Sequence, residues 1–234
     1  MSAFTFKHFR INQDRATMKV GTDAMVLGSF VDVTDKFQGL DIGTGTGVIS
    51  LMLAQRNSEL KITAIDIDSG SVEDAQQNFS ESDWSERLSV TQQDVLSINS
   101  NGQYDLIFSN PPYYQDSLRN EDLRMASAKH EVFLPIDALV AKVETLLSSK
   151  GHFWIIAPYE NCKRWIDTCG ENGLFLARSI QIYGKGGEDV KRVIFSFSRT
   201  ESEYAPESFS IRTESGAYTS EYIELTKEYH NRAL

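Results

Sequence analysis

From residue 38 onward the chain alternates short β-rich runs with amphipathic stretches, and no other feature restricts its folding so sharply. "GLDIG" is strand-like and "GVISLMLAQRN" helical, "KITAIDID" strand-like and "SVEDAQQNFSE" helical, and the strand-like "RLSVTQQD" and "YDLIFSN" follow. "IDALVAKVETLLSSKG" reads as a helix closed by Gly151, ahead of a strand "HFWIIAP" and a helix "NCKRWIDTCGENG". Consecutive strands joined through helices run parallel, and the crossovers cover both faces of the sheet. After residue 175 the rhythm breaks, because "LARSIQIYG" and "KRVIFSFSR" are joined by "GKGGED" with no helix between them. A closing antiparallel hairpin is expected there.

The flanks are additions to this core rather than separate units. "FTFKHFRINQDRATMKV" is too aromatic for a floppy tail and predicts a short hairpin-like extension; "GTDAMVLGSFV" then has helical spacing, with Thr22 or Asp23 available as N-cap. The acidic segment from Thr200 on carries scattered aromatics, and "EYIELTKEYH" can form a surface helix. One domain is expected over residues 1–234, with an extension near 1–30 and a tail near 200–234. No apolar run is long enough to cross a membrane, and "MSAFTFKHFR" lacks the pattern of a secretion signal, so a cytoplasmic chain is expected. Cys162 and Cys169 match neither a zinc nor a redox spacing and are read as reduced thiols; no metal site is expected. The formal charge of −10 argues against strong nonspecific nucleic-acid binding.

Two motifs carry chemistry. "LDIGTGTGVISLML" sets Gly43, Gly45 and Gly47 between a strand and a helix, where a ligand can approach the backbone and meet the free amides of the helix start. A dinucleotide fingerprint would want glycine where Val48 stands, so the pyrophosphate reading weakens. Asp66 ends the second strand, where a carboxylate can accept from both ribose hydroxyls of an adenosine-bearing ligand, and Asp94 adds a second acid at the same edge. Either aspartate alone is equally well a surface residue. The second motif, "FSNPPYYQ", puts an amide, two prolines and two aromatic rings at the end of a strand-like run. An exocyclic ring amine is a poor nucleophile, and two acceptors, one on each N–H, can hold its lone pair toward a reaction partner.

In order, "DIGTGTG", "AIDID", "QQD" and "NPPY" resemble the class I S-adenosylmethionine-dependent methyltransferases over roughly residues 19–200. The resemblance implies a Rossmann-like doubly wound sheet, mostly parallel with a C-terminal antiparallel hairpin, and S-adenosyl-L-methionine as cofactor. It implies cofactor contacts from Lys19, Thr22, Asp41, Gly43, Thr44, Gly45, Gly47, Asp66, Ile67, Asp94, Val95 and Asn110. The catalytic group it implies is Asn110, Pro111, Pro112 and Tyr113, with the Asn110 side-chain oxygen and Pro111 carbonyl as acceptors, Pro112 stiffening the turn and Tyr113 stacking on the target ring. No general base is needed, since the proton can leave after transfer, and His8, His130, His152 and His230 are read as structural or surface residues.

"NPPY" occurs in enzymes acting on adenine N6, guanine N2 and glutamine, so the motif fixes only a planar amine. The opening "FTFKHFRINQDRATMKVGTDAMVLGSF", "RMASAKHE" and "ESFSIRTESGAYTSEY" extend the resemblance to bacterial tRNA adenine-N6 methyltransferases acting on valine tRNA beside the anticodon. That implies a monomeric enzyme with tRNA as partner, held by local basic patches drawn from Lys7, Arg10, Arg15, Arg119, Arg124, Lys129, Lys185, Lys191 and Arg192. The alternatives are a methyltransferase for rRNA guanine or a protein glutamine, a non-catalytic S-adenosylmethionine-binding subunit, and a nicotinamide oxidoreductase.

Overall fold

A computed structural model of the chain describes residues 3–111 and 134–231. Its core is an eight-stranded sheet in the order β10-β8-β9-β7-β6-β3-β4-β5. The strands are β3 (Gln38–Ile42), β4 (Lys61–Asp66), β5 (Leu88–Gln92), β6 (Tyr104–Ser109), β7 (Leu147–Pro158), β8 (Phe175–Lys185), β9 (Arg192–Ser198) and β10 (Glu207–Arg212). Only β9 runs against its neighbours. The βα rhythm thus produces the expected α/β doubly wound sheet with its antiparallel hairpin.

Central strands that read as unbroken apolar runs are buried on both faces. Leu106 and Phe108 of β6 enter one core with Trp154 and Ile156 of β7. Their neighbours Ile107, Phe153 and Ile155 enter the other. Helices α1 (Thr22–Phe30), α2 (Val48–Arg56) and α3 (Ser69–Ser80) contribute to the first core. Helices α4 (Ile136–Leu146) and α5 (Cys162–Glu171) contribute to the second. Each large side chain so buried contributes about 1.5–3 kcal/mol. Burial pushes the thiol of Cys162 up to about 11 and that of Cys169 up to about 12, which leaves both unreactive.

Three expectations need correction. Helix α4 does not run on to Gly151; it stops at Leu146, and β7 begins at once. Gly151 lies within the strand because a Cβ there would come 2.7 Å from Leu147 and 3.0 Å from the Tyr104 carbonyl, at the irregularity between β6 and β7. The N-cap of α1 is Gly21, with Thr22 already inside the helix and no side-chain cap. The tail is also more than a surface helix: β10 extends the sheet beside β8, and α6 (Ser220–Thr226) packs back on α1 with Tyr222 buried.

The N-terminal extension forms the expected hairpin, β1 (Ala3–Thr5) against β2 (Arg10–Asn12). It is joined to the opposite end of the chain: Phe6 bridges His230, and the Lys7 N–H donates to the Tyr229 carbonyl at 3.1 Å. Among the described residues no helix is long and apolar enough to cross a membrane.

Candidate active site

The carboxyl end of β3 is where sequence becomes chemistry. Asp41, 1% exposed, accepts from the hydroxyls of Thr44 and Ser50 through one carboxylate oxygen, both at 2.7 Å. Strand end, turn and first helical turn of α2 are thereby fastened together. Burial pushes the Asp41 carboxyl up to about 7, outweighing the two hydroxyl bonds that favour its ionised form. The turn follows with Gly43 at φ 71°, Gly45 at 56° and Gly47 at 79°, a left-handed course open to glycine at little cost. The amides of Gly43 and Thr44 donate to the Ile65 carbonyl at 2.9 and 3.0 Å, pinning the turn to the end of β4. A Cβ on Gly43 or Gly45 would meet nothing within 4 Å, so the bare backbone faces open space.

Asp66 closes β4 beside that turn. One of its oxygens accepts from Gly45 N–H at 2.9 Å and the other from Asp68 N–H at 3.0 Å. A carboxylate has about four acceptor positions, so capacity remains for a ligand's hydroxyls. Burial raises its pKa, against the opposing pull of those amides. One strand further, Asp94 caps a 3-10 turn, Val95–Ser97, by accepting from Leu96 N–H at 2.9 Å.

On the other side of β3, the buried Ser109 hydroxyl donates to the Ile42 carbonyl at 2.8 Å and ties the end of β6 to the end of β3. Ile42 is level with Ser109 on one side and with Ile65 on the other. Gly43, Asp66 and Asn110 therefore follow the ends of three adjacent strands in one row, spanning about 10 Å at the usual inter-strand spacing. Asn110 and Pro111 are half-buried. Pro112, Tyr113, Arg119, Arg124, Lys129 and His130 lie outside the described residues.

Other expected positions scatter more. The side chain of Val95 is turned into the core, at 3% exposure, so a ligand at this turn would meet its backbone. Leu96, unremarked in the sequence, is 43% exposed, as is Ile67 at 42%; two apolar side chains thus stand near the acids. Lys19 and Thr22 are exposed. The Asp23–Arg192 ion pair, at 3.0 Å, holds the start of α1 at the same sheet edge, since β9 begins there. His152 pairs with Lys36 at 3.1 Å near the start of the β6–β7 pairing, away from the row. Burial and the lysine charge hold its pKa down.

The basic residues are partly spent on internal pairs. Lys7 bonds Glu228 at 2.8 Å, Arg15 bonds Glu73 and Asp74, and Arg192 bonds Asp23. Arg10, Lys185 and Lys191 enter none of the ion pairs between described residues. Among the described residues no cluster suited to a metal ion occurs.

Comparison with known proteins decides the family. The model of the methyltransferase small domain matches residues 16–164. A tRNA1(Val) (adenine(37)-N6)-methyltransferase of Phocaeicola vulgatus is 39% identical over 227 residues, covering 97% of each chain. The chain belongs to this methyltransferase family. A second relative of the same name, from Flavobacteriaceae bacterium strain 3519-10, is 35% identical and covers 98% of this chain and 99% of its own. Among solved structures, a predicted O-methyltransferase of Agrobacterium tumefaciens superposes with a TM-score of 0.64 at 18% identity, covering 91% of this chain and 99% of that one, which shows a shared fold. These near full-length sequence matches take in the tail as well as the core.

Proposed function

We propose that this chain methylates N6 of an adenine in tRNA, beside the anticodon of a valine tRNA, with S-adenosylmethionine as donor. The observation that carries the reading is the row along one sheet edge: an open glycine turn, a half-buried acid and an Asn-Pro pair, each following the end of an adjacent strand. Near full-length relatives named tRNA1(Val) (adenine(37)-N6)-methyltransferase support the substrate.

The residues present suit that donor. The uncovered backbone at Gly43 and Gly45 leaves room for it, Asp66 would accept from ribose hydroxyls, and Asp94 from an exocyclic amine. Ile67 and Leu96 would offer apolar contact to the adenine. When bound, the donor supplies an electrophilic methyl on a positively charged sulfur.

The chain's own contribution is placement. The Asn110 side-chain oxygen and the Pro111 carbonyl accept one N–H each from the target amine, which directs its lone pair away from the acceptors and favours a tetrahedral nitrogen. Such hydrogen bonds contribute on the order of 1 kcal/mol each, so alignment accounts for most of the rate. Tyr113 would stack on the ring, for about 1–3 kcal/mol. The proton leaves the cationic product nitrogen for solvent, which agrees with the distance of His152 from the row. An adenine in an anticodon loop is easily unstacked, so rotating it into the site costs less than extraction from a duplex.

The test is nucleoside mass spectrometry of tRNA incubated with the protein and labelled donor. N6-methyladenosine in valine tRNA is the expected product; label in rRNA guanine or in protein overturns the assignment. Asn110→Ala should bind donor with wild-type affinity and lose most methyl transfer, and unchanged turnover would refute the proposed acceptor geometry.

A further inference from the structure

We infer that Asn78 is a positioning residue for the methyl donor, acting by locking the glycine turn to the N-terminal segment. The inference rests on the glycine turn being the donor site.

Asn78 lies in α3 and is 1% exposed. Its amide nitrogen donates to the Thr46 carbonyl in the turn at 2.9 Å and to the Asn12 carbonyl at 2.9 Å. Its oxygen accepts from Asn12 N–H at 2.7 Å. One side chain therefore joins the N-terminal segment to the glycine turn.

Four residues earlier, on the same helix face, Asp74 is fully buried. It accepts from the backbone N–H groups of Arg15 and Ala16, both at 2.8 Å, and pairs with the Arg15 guanidinium at 3.2 Å. Four residues earlier again, a Cβ on Gly70 would come 2.9 Å from the Arg15 carbonyl. Positions 70, 74 and 78 thus form a track along α3 on which residues 12–16 are laid. The Gln13 side chain then accepts from Val20 N–H at 2.9 Å, directing the segment toward the start of α1 at the site edge.

The bond to Thr46 sets the peptide plane entering Gly47, whose own N–H closes the turn on the Thr44 carbonyl at 2.9 Å. The course of the bare turn backbone at Gly43 and Gly45, where the donor would lie, depends on that plane. A buried amide with both N–H groups and an oxygen engaged fixes geometry more strictly than apolar packing, since every misaligned arrangement leaves a polar group unpaired. Coupling of this kind is reciprocal: a donor that stiffens the turn also stiffens residues 12–16.

The test compares Asn78→Ala and Asn78→Asp with wild type. Asn78→Asp keeps the acceptor for Asn12 N–H but turns an oxygen toward the two carbonyls. Both variants should raise the dissociation constant for S-adenosylmethionine by about tenfold or more, with kcat at saturating donor within about threefold of wild type, as expected for loss of one or two buried hydrogen bonds. A lowered melting temperature with unchanged donor affinity would make Asn78 a purely structural residue and overturn the inference. Hydrogen exchange on the wild-type protein does not depend on the variants folding: the Asn12, Arg15 and Ala16 amides should exchange several-fold more slowly when donor saturates the protein. Unaltered exchange there overturns it as well. Wild-type protein that binds no S-adenosylmethionine overturns the donor-site reading first and Asn78's role with it, a result separable from the other two.

Discussion

Asp41 and Asp66 are both carboxyls raised by burial, yet they invite different experiments. Asp41 holds its proton up to about 7, whereas the unfolded chain releases it near the ordinary 3.8. Its contribution to stability is therefore complete below 3.8 and is lost as pH climbs to about 7. Asp41→Asn keeps an oxygen for Thr44 and Ser50 but does not titrate. Its stability relative to wild type should rise across that window and level off above it, as measured by urea unfolding. Asp66 belongs to the proposed donor site. Asp66→Ala should weaken S-adenosylmethionine binding by about 10–100-fold, the worth of charge-assisted hydrogen bonds to hydroxyls, and calorimetric titration reads it directly. At this scale the residues proposed to bear chemistry were legible in the sequence, and those that hold them in place were not. Gly43, Asp66 and Asn110 stand out by residue type at strand ends. Asn78 and Ser109 do not, because their meaning lies in carbonyls 32 and 67 residues away. A serine closing an apolar run was the available hint for Ser109; Asn78, in a mostly polar helix, gave none.

Among the elements, the glycine turn separates binding from folding. Gly45 looks onto open space, so Gly45→Ala should reduce donor affinity and cost only the strain of a left-handed alanine, about 1 kcal/mol. Gly47 faces the Phe79 ring, which an added Cβ would approach to 2.5 Å at a φ of 79°. Gly47→Ala should therefore cost about 2–4 kcal/mol of stability through clash and backbone strain, visible as a lower thermal midpoint. The strands and helices of the central core were legible because their apolar periods are long and clean. β10 was missed although Phe209 and Ile211 alternate with polar residues, since a six-residue edge strand within an acidic stretch offers little pattern. Gly151 misled for a related reason: a glycine after an apolar helix resembles a helix stop, and only the approach of β6 reveals a strand.

For the whole molecule, the tail is structural. Phe209, Ile211, Tyr222 and Tyr229 are each less than a tenth exposed. Four such side chains represent about 6–12 kcal/mol of burial, comparable with the entire stability of a typical domain. A chain ending at Pro206 should not fold to a monodisperse monomer, which light scattering checks. Charge also belongs to this scale. With a formal charge of −10 and several cations already paired, at most six of the expected RNA-facing residues remain: Arg10, Lys185, Lys191, Arg119, Arg124 and Lys129. The slope of log affinity for tRNA against log salt should be no steeper than about −5; a steeper slope would reveal phosphate contacts beyond these. The bridge from Phe6 to His230 has a consequence of its own. With head and tail in contact, the backbone is topologically a ring that happens to be cut at one place. Splicing the two ends through a short flexible peptide and cutting instead at the exposed turn near Asn101, ahead of β6, should yield a permuted enzyme with the same catalytic rim.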